Sequence, residues 1–285
     1  MAIALSLLTA TLFGISDFCG GLAGRRWRVL DLILVAHLIG LGGTLAASLL
    51  IADRFILDDF IWGGLGGTFG LVGLMLLYRG LARGPMSLVA PMTAVTSALV
   101  PAAWGVFIAG DVLSGLAWAG VACALVAIGA SSTTTDQESP VVVSSILEAL
   151  AAGTGFGLMF VALDQTDPAS APWSIVGARA ASLVVLLVVL AVRLGQLRRR
   201  GFPLSFGAPS GLWLVIAVGV LDSGSNVLFL YAIQNGSLTV VSVLTSIYPV
   251  ATVLLARVVL AERLGRVQQA GVALALLATV LISAG

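Results

Sequence analysis

Ten stretches of about twenty mostly apolar residues follow one another along this 285-residue chain, and no other feature constrains its fold as strongly. A helix needs about 20 such residues to cross about 30 Å of hydrocarbon. The stretches run at about 2–24, 30–52, 60–82, 86–109, 112–131, 143–163, 171–193, 210–233, 237–259 and 265–284. None alternates with period two over about ten residues, which excludes a transmembrane β-barrel. Helices are the remaining way to satisfy a backbone in lipid. The expected fold is therefore an all-α integral membrane protein of ten transmembrane helices. Met1 leads almost directly into the first span, without the basic n-region or Ala-x-Ala site of a cleaved signal peptide.

Charge supports this reading. Only 9% of residues are charged and 59% are hydrophobic, whereas a soluble domain carries about 25% charged residues. Such a chain cannot cover itself with polar surface in water, which excludes a cytosolic enzyme, a nucleic-acid-binding domain and a disordered scaffold. A net charge of +1 sets up no field toward nucleic acid or acidic partners. Cys19 and Cys123 both sit in apolar runs, so neither a disulfide framework nor a Cys-based zinc site is available.

All fourteen cationic side chains are Arg. Twelve lie in or beside the connections after segments 1, 3, 7 and 9: Arg25, Arg26 and Arg28; Arg79 and Arg83; Arg193 and Arg198–Arg200; Arg257, Arg263 and Arg266. Of the others, Arg54 sits among Asp53, Asp58 and Asp59 on the opposite face, and Arg179 falls inside segment 7. By the positive-inside rule the Arg-bearing face is cytoplasmic, which puts both termini outside. Arg198–Arg200 reads as a topology anchor that could also touch anionic lipid.

The two halves resemble each other. Thr11-Leu12-Phe13-Gly14 aligns with Thr154-Gly155-Phe156-Gly157, and Tyr78 through Gly120 follows the same plan as Tyr231 through Gly271. In each, a Tyr precedes a Gly-ended turn, a Ser/Thr-containing span with internal Pro, an acidic residue (Asp111 or Glu262) and a final apolar span. Residues 1–131 form a first repeat, 132–142 a linker and 143–285 a second repeat. Five spans per half is odd, so the second half enters the membrane upside down, and Arg-rich connections in one half match Arg-poor ones in the other. Inverted repeats of this kind are typical of secondary transporters, with a midplane site between halves that open alternately.

These residues carry a family resemblance. Ten spans as two inverted five-helix repeats resemble the drug/metabolite transporter superfamily, specifically its EamA family. The signals are the two repeat starts, Tyr231-Ala232-Ile233 with Gly236-Ser237, and Ser246-Ile247-Tyr248-Pro249-Val250 running to Leu260-Ala261-Glu262-Arg263-Leu264. The last is similar to the family's Pro-containing helix ending in a Gly/Ala-Glu-Arg-Leu turn. The first half departs from it, with Gly110-Asp111-Val112 in place of that turn. The resemblance implies export or exchange of small metabolites by alternating access. It also implies a central cavity lined by segments 1, 3, 4, 6, 8 and 9.

Charged side chains at membrane depth cost about 2.5–3.5 kcal/mol each on insertion scales, so each needs a reason. Four such residues stand out: Asp17, His37, Arg179 and Asp222. At about 1.5 Å per residue, Asp17 and His37 lie at similar depth from the Arg-bearing face and could meet. Arg179 and Asp222 share a depth from the opposite face. A buried Arg–carboxylate pair, each partner offsetting the other's desolvation, is the structural reading of these two. A gate or a substrate contact is the functional one.

Ser223, Ser225 and Asn226 make a polar patch around Asp222. Ser16 flanks Asp17 beyond Gly14, where a thin helix wall leaves room for a ligand. Intramembrane carboxylates mark proton relays in pumps and transporters, so Asp17 is a candidate for exchanging a proton against substrate, with satisfaction by His37 or a neighbouring Ser as the alternative. Pro91 and Pro101 in segment 4 and Pro249 in segment 9 each remove a backbone donor. Thr93, Thr96 and Ser97 accompany the first two, and Thr245, Ser246 and Tyr248 the third. These hydroxyls either face a polar cavity or refill the lost backbone bonds. The Gly63–Gly73 series on segment 3 reads as a close helix-packing surface.

With one His and no Lys, no metal-ligand cluster or nucleophile–base pair is available for an intramembrane enzyme, and no cofactor is expected. A channel would want a ring of like polar groups. A phosphorylated substrate would want several cavity cations, and only Arg179 qualifies. The expected partners are the lipid bilayer, a small neutral or zwitterionic solute such as an amino acid, and protons. The fused repeats suffice for a site in a monomer, and a homodimer stays open.

Overall fold

The computed structural model describes residues 1–52, 54–110, 114–132, 140–199, 211–235, 241, 244–245, 247–263 and 265–284. Ten α-helices and no strands occur among them: α1 (Ala2–Gly24), α2 (Val29–Ile51), α3 (Leu57–Arg83), α4 (Met86–Trp104), α5 (Gly115–Ser132), α6 (Pro140–Asp164), α7 (Ala171–Arg199), α8 (Leu212–Gln234), α9 (Pro249–Val259) and α10 (Arg266–Ala284). Seven of these, α1–α4 and α6–α8, are long and apolar enough to cross a membrane; the apolar stretches described for α5, α9 and α10 are shorter. The chain is an integral membrane helical protein. In α9, Pro249 occupies the first helical position, where a missing N–H costs nothing. Asp53, Asp111, Arg200, Gly236, Ser237, Ser246 and Leu264, with most of the linker, lie outside the described residues.

Apolar side chains cover the outside of the bundle as well as filling it. On α7, Val184, Leu187 and Val188 are all more than half exposed, an outer surface suited to lipid and not to water. At the centre lies α4, whose Met86, Leu88, Val89 and Met92 have no exposed surface. Pro91 and Pro101 both sit inside this helix. Past Pro101 the helix widens into a π-helical turn over Gly105–Ala109, closed by Gly110 in the left-handed region at φ 77°.

Small residues set the helix spacing. A Cβ at Gly63 would lie 2.0 Å from the Ser174 carbonyl oxygen, and one at Gly67 2.2 Å from that of Ala178, so α3 and α7 touch backbone to backbone. On another face of α3, Gly70 receives the Met159 sulfur and Gly73 the Ala152 carbonyl, both from α6. The glycines of segment 3 are therefore occupied by packing on two sides. Ser182 fixes the first contact by donating to the Gly67 carbonyl at 2.8 Å.

Candidate functional site

Polar groups from both halves converge where α1, α3, α7, α8 and the turn before α9 approach one another. The Arg179 guanidinium donates to the Asp222 carboxylate, joining α7 to α8. Their side chains are 12% and 26% exposed, so the pair is largely withdrawn from solvent. Gly40 on α2 makes room for it: a Cβ there would lie 3.0 Å from the Ser223 hydroxyl and 3.2 Å from the Arg179 guanidinium carbon. Asn226, one turn on from Asp222, donates to the Asp222 backbone carbonyl at 2.7 Å. It also lines a narrow crevice with Thr44, Ala47, Pro172, Ile175 and Val227.

Asp17 approaches this pair from α1. It is electrostatically coupled to Asp222 and to the phenols of Tyr78 and Tyr248. Its side chain keeps some accessible surface, and no ion pair reaches its carboxylate among the described residues. Ser16 beside it donates to the Val218 carbonyl at 3.3 Å and is a hydrogen-bond partner of Tyr78. His37 is buried on α2, and its charged neighbour is Arg179. Asp17 and His37, which their depths alone would allow to meet, thus have different electrostatic neighbours. The reason is packing: α1 lies chiefly along α8, while α2 lies along α7 and α8.

The hydroxyls divide into two sets. Thr93 donates to Val89 O at 3.0 Å, Thr96 to Met92 O at 2.9 Å and Ser97 to Ala94 O at 2.8 Å, all within α4. The carbonyls that Pro91 and Pro101 leave without an N–H belong to Ser87 and Ser97, so these hydroxyls do not refill the lost bonds. The Thr245 hydroxyl, by contrast, is buried with no partner among the described residues. Tyr248 stands just before Pro249, its ring edge-on to Phe13 of α1 at 6.4 Å. Ser246 lies outside the described residues.

Sequence reasoning missed three members of this site. Tyr78 is one of the largest fully buried side chains. It served only as a repeat landmark, and its recurrence as Tyr231 was the available signal. Phe13 was likewise read only as part of a repeat start, and Gly40 carried no signal of its own. Among the described residues no group of three His, Cys, Asp or Glu side chains could hold a metal ion.

Apolar helices with exposed apolar faces, enclosing a small set of converging charges, define a multi-pass membrane protein with an internal polar site. Residues 143–284 match the model of the EamA-like transporter family, and through this second half the chain belongs to that family of membrane transporters. One solved crystal structure is similar over 96% of both chains, with a TM-score of 0.55 at 17% identity, a likeness of fold alone. No curated protein matches the sequence.

Proposed function

We propose that the chain is a secondary transporter that exports a small neutral or zwitterionic metabolite, such as an amino acid, across the cytoplasmic membrane by alternating access. The observation that carries this reading is the juxtaposition of Asp17, which has no ionic partner among the described residues, and the Arg179–Asp222 pair. A zwitterion has an ammonium for the free carboxylate and a carboxylate for the guanidinium. These groups come from helices of both halves, as a site between repeats requires. Asp17 is also the group suited to carrying a proton in exchange for substrate.

The helix contacts support two equivalent five-helix halves. Advancing each helix number by five, cyclically, turns the α3–α6 contact into α8–α1, α3–α7 into α8–α2, and α4–α6 into α9–α1, and all of these occur. Gly14 and Gly157, matched at the two repeat starts, pack on the matched helices α9 and α4. With the Arg-bearing face cytoplasmic, the halves are inverted and both termini lie outside. The chain works as a monomer or a homodimer.

The test compares metabolites in the medium of cells overproducing the protein with those of cells carrying an empty vector. A discrete set of amino acids rising outside is the expected result and names the substrate. No change would refute export and shift the reading to import or exchange. Asp17→Asn should then abolish the pH dependence of transport in vesicles; full transport with unchanged pH dependence would remove the proton role from Asp17.

A further inference from the structure

Helix α9 ends in a turn that the sequence marks only as one acidic landmark of the repeat. The N–H groups of Leu260 and Glu262 both return to the Ala256 carbonyl, at 3.1 and 3.3 Å. Ala261 between them is in the left-handed region at φ 52°, the conformation that commonly closes a helix and that glycine adopts most freely. The turn aims the Glu262 side chain at the start of α4. One carboxylate oxygen accepts the Met86 N–H at 3.0 Å; the other accepts the Ser87 N–H at 3.0 Å and the Ser87 hydroxyl at 2.6 Å.

Met86 and Ser87 open α4, so their N–H groups have no partner within the helix and the helix dipole favours a carboxylate there. The residue preceding the helix, Pro85, supplies no side-chain cap. The cap comes instead from 175 residues away, out of the second half of the chain, at the end where Arg83, Arg257, Arg263 and Arg266 gather.

The other end of α9 stands at the candidate site. Tyr248 there meets Phe13, and Thr252 donates to the Gly14 carbonyl at 2.9 Å. Before Pro249 the backbone bonds tighten, with Tyr248 N–H to Thr245 O at 3.0 Å and Val250 N–H to Ile247 O at 2.9 Å. The helix itself, 11 residues or about 16 Å long, is a stiff rod from the site to the Glu262 turn.

We propose that Glu262 is a latch between the two repeats: while its carboxylate caps α4, the Arg-bearing end of the transport pathway is closed, and displacement of α9 by substrate at Tyr248 withdraws it. The contact suits reversible use. It is polar, it joins the two halves, and Glu262 is itself partly exposed, so water can take up the freed groups. Rigid elements with two discrete arrangements are what couple distant sites. The inference rests on the transporter reading above.

The test uses the full chain with Cys19→Ala and Cys123→Ala and a reporter, Asn226→Cys, in membrane vesicles of known orientation. A charged, impermeant methanethiosulfonate is added from the Arg-bearing side. Glu262→Ala should speed labelling severalfold, with Glu262→Gln, which keeps the shape and loses the charge, intermediate. Spin labels at Arg83→Cys and Arg266→Cys, without the reporter, should show a longer or broader distance distribution when Glu262→Ala or Glu262→Gln is present. A lower melting temperature with labelling rate and distances unchanged would make Glu262 a structural cap and overturn the latch. Labelling that is indifferent to Glu262 does the same while leaving the transporter reading in place. A reporter that also stays unreactive in every variant when the reagent is added from the opposite side overturns both.

Discussion

The Thr252 hydroxyl donates to the Gly14 carbonyl at 2.9 Å, tying α9 to α1 across 238 residues of sequence. The bond is possible because Gly14 has no side chain: a Cβ there would lie 2.4 Å from the Tyr248 carbonyl oxygen and 3.1 Å from the Thr252 nitrogen. Both are backbone atoms and cannot rotate away. Gly14→Ala should therefore force α1 and α9 apart, with overpacking costs of about 1–3 kcal/mol. Thermal unfolding in detergent would show a lowered midpoint. A midpoint equal to the parent's would mean that the α1–α9 contact is looser than described.

The Arg179–Asp222 pair predicts a non-additive mutant series. Asp222→Ala strands a guanidinium that is only 12% exposed, and breaking a buried pair from one side costs up to about 3–5 kcal/mol. Replacing both residues, as Arg179→Met with Asp222→Leu, removes the stranded charge and should recover most of that loss. A double variant as unstable as Asp222→Ala would show that the pair was not offsetting desolvation.

At the end of α9, Ala261 holds a left-handed conformation at φ 52°. L-residues reach it at a cost of about 1–2 kcal/mol and glycine without that penalty. Ala261→Gly should stabilise the turn by somewhat less, because glycine also loses more freedom on folding. For a chain of this size about 1 kcal/mol corresponds to a rise of about 2 °C in the midpoint. Ala261→Val should lower it.

The connections at the other end carry a pH-dependent tether. Asp167 is paired with Arg54 and accepts the Ala169 N–H at 2.9 Å, while its own N–H goes to Asp59 at 3.2 Å. The Ala169 N–H first, and Arg54 second, hold the Asp167 carboxyl below its ordinary value of 3.8. A carboxyl depressed on folding contributes stability above its unfolded value and loses it as pH falls through the lower folded one. The midpoint difference between parent and Asp167→Asn should be constant from about pH 5 to 7 and shrink below about pH 4. A difference that grows in acid would contradict this assignment.

Much of the fold was legible because hydropathy is written locally. The expected segment 2–24 is α1 at Ala2–Gly24, and 30–52 is α2 at Val29–Ile51. Hydropathy does not register that Pro249 occupies the first position of α9. The π-helical turn at Gly105–Ala109 is a change of hydrogen-bond register, to which hydropathy is equally blind. Within the site, depth along each span drew attention to Asp17, His37, Arg179 and Asp222. It did not give their partners: His37 faces Arg179, and Asp17 lies near Asp222 and two tyrosines.

By itself, then, the sequence determined that the chain is helical and embedded in a membrane, and which charged residues stand at odds with their surroundings. Each of these follows from the transfer free energy of residues taken one at a time or in short runs, and such free energies add along the chain. Only the tertiary structure decided that Glu262 caps α4, that Gly14 receives α9 and that Gly40 makes room for the Arg179 pair. Those contacts depend on the rotation and spacing of helices far apart in sequence. Helix rotation is set by how small and large side chains interlock across the bundle, a property of surfaces that no single segment contains.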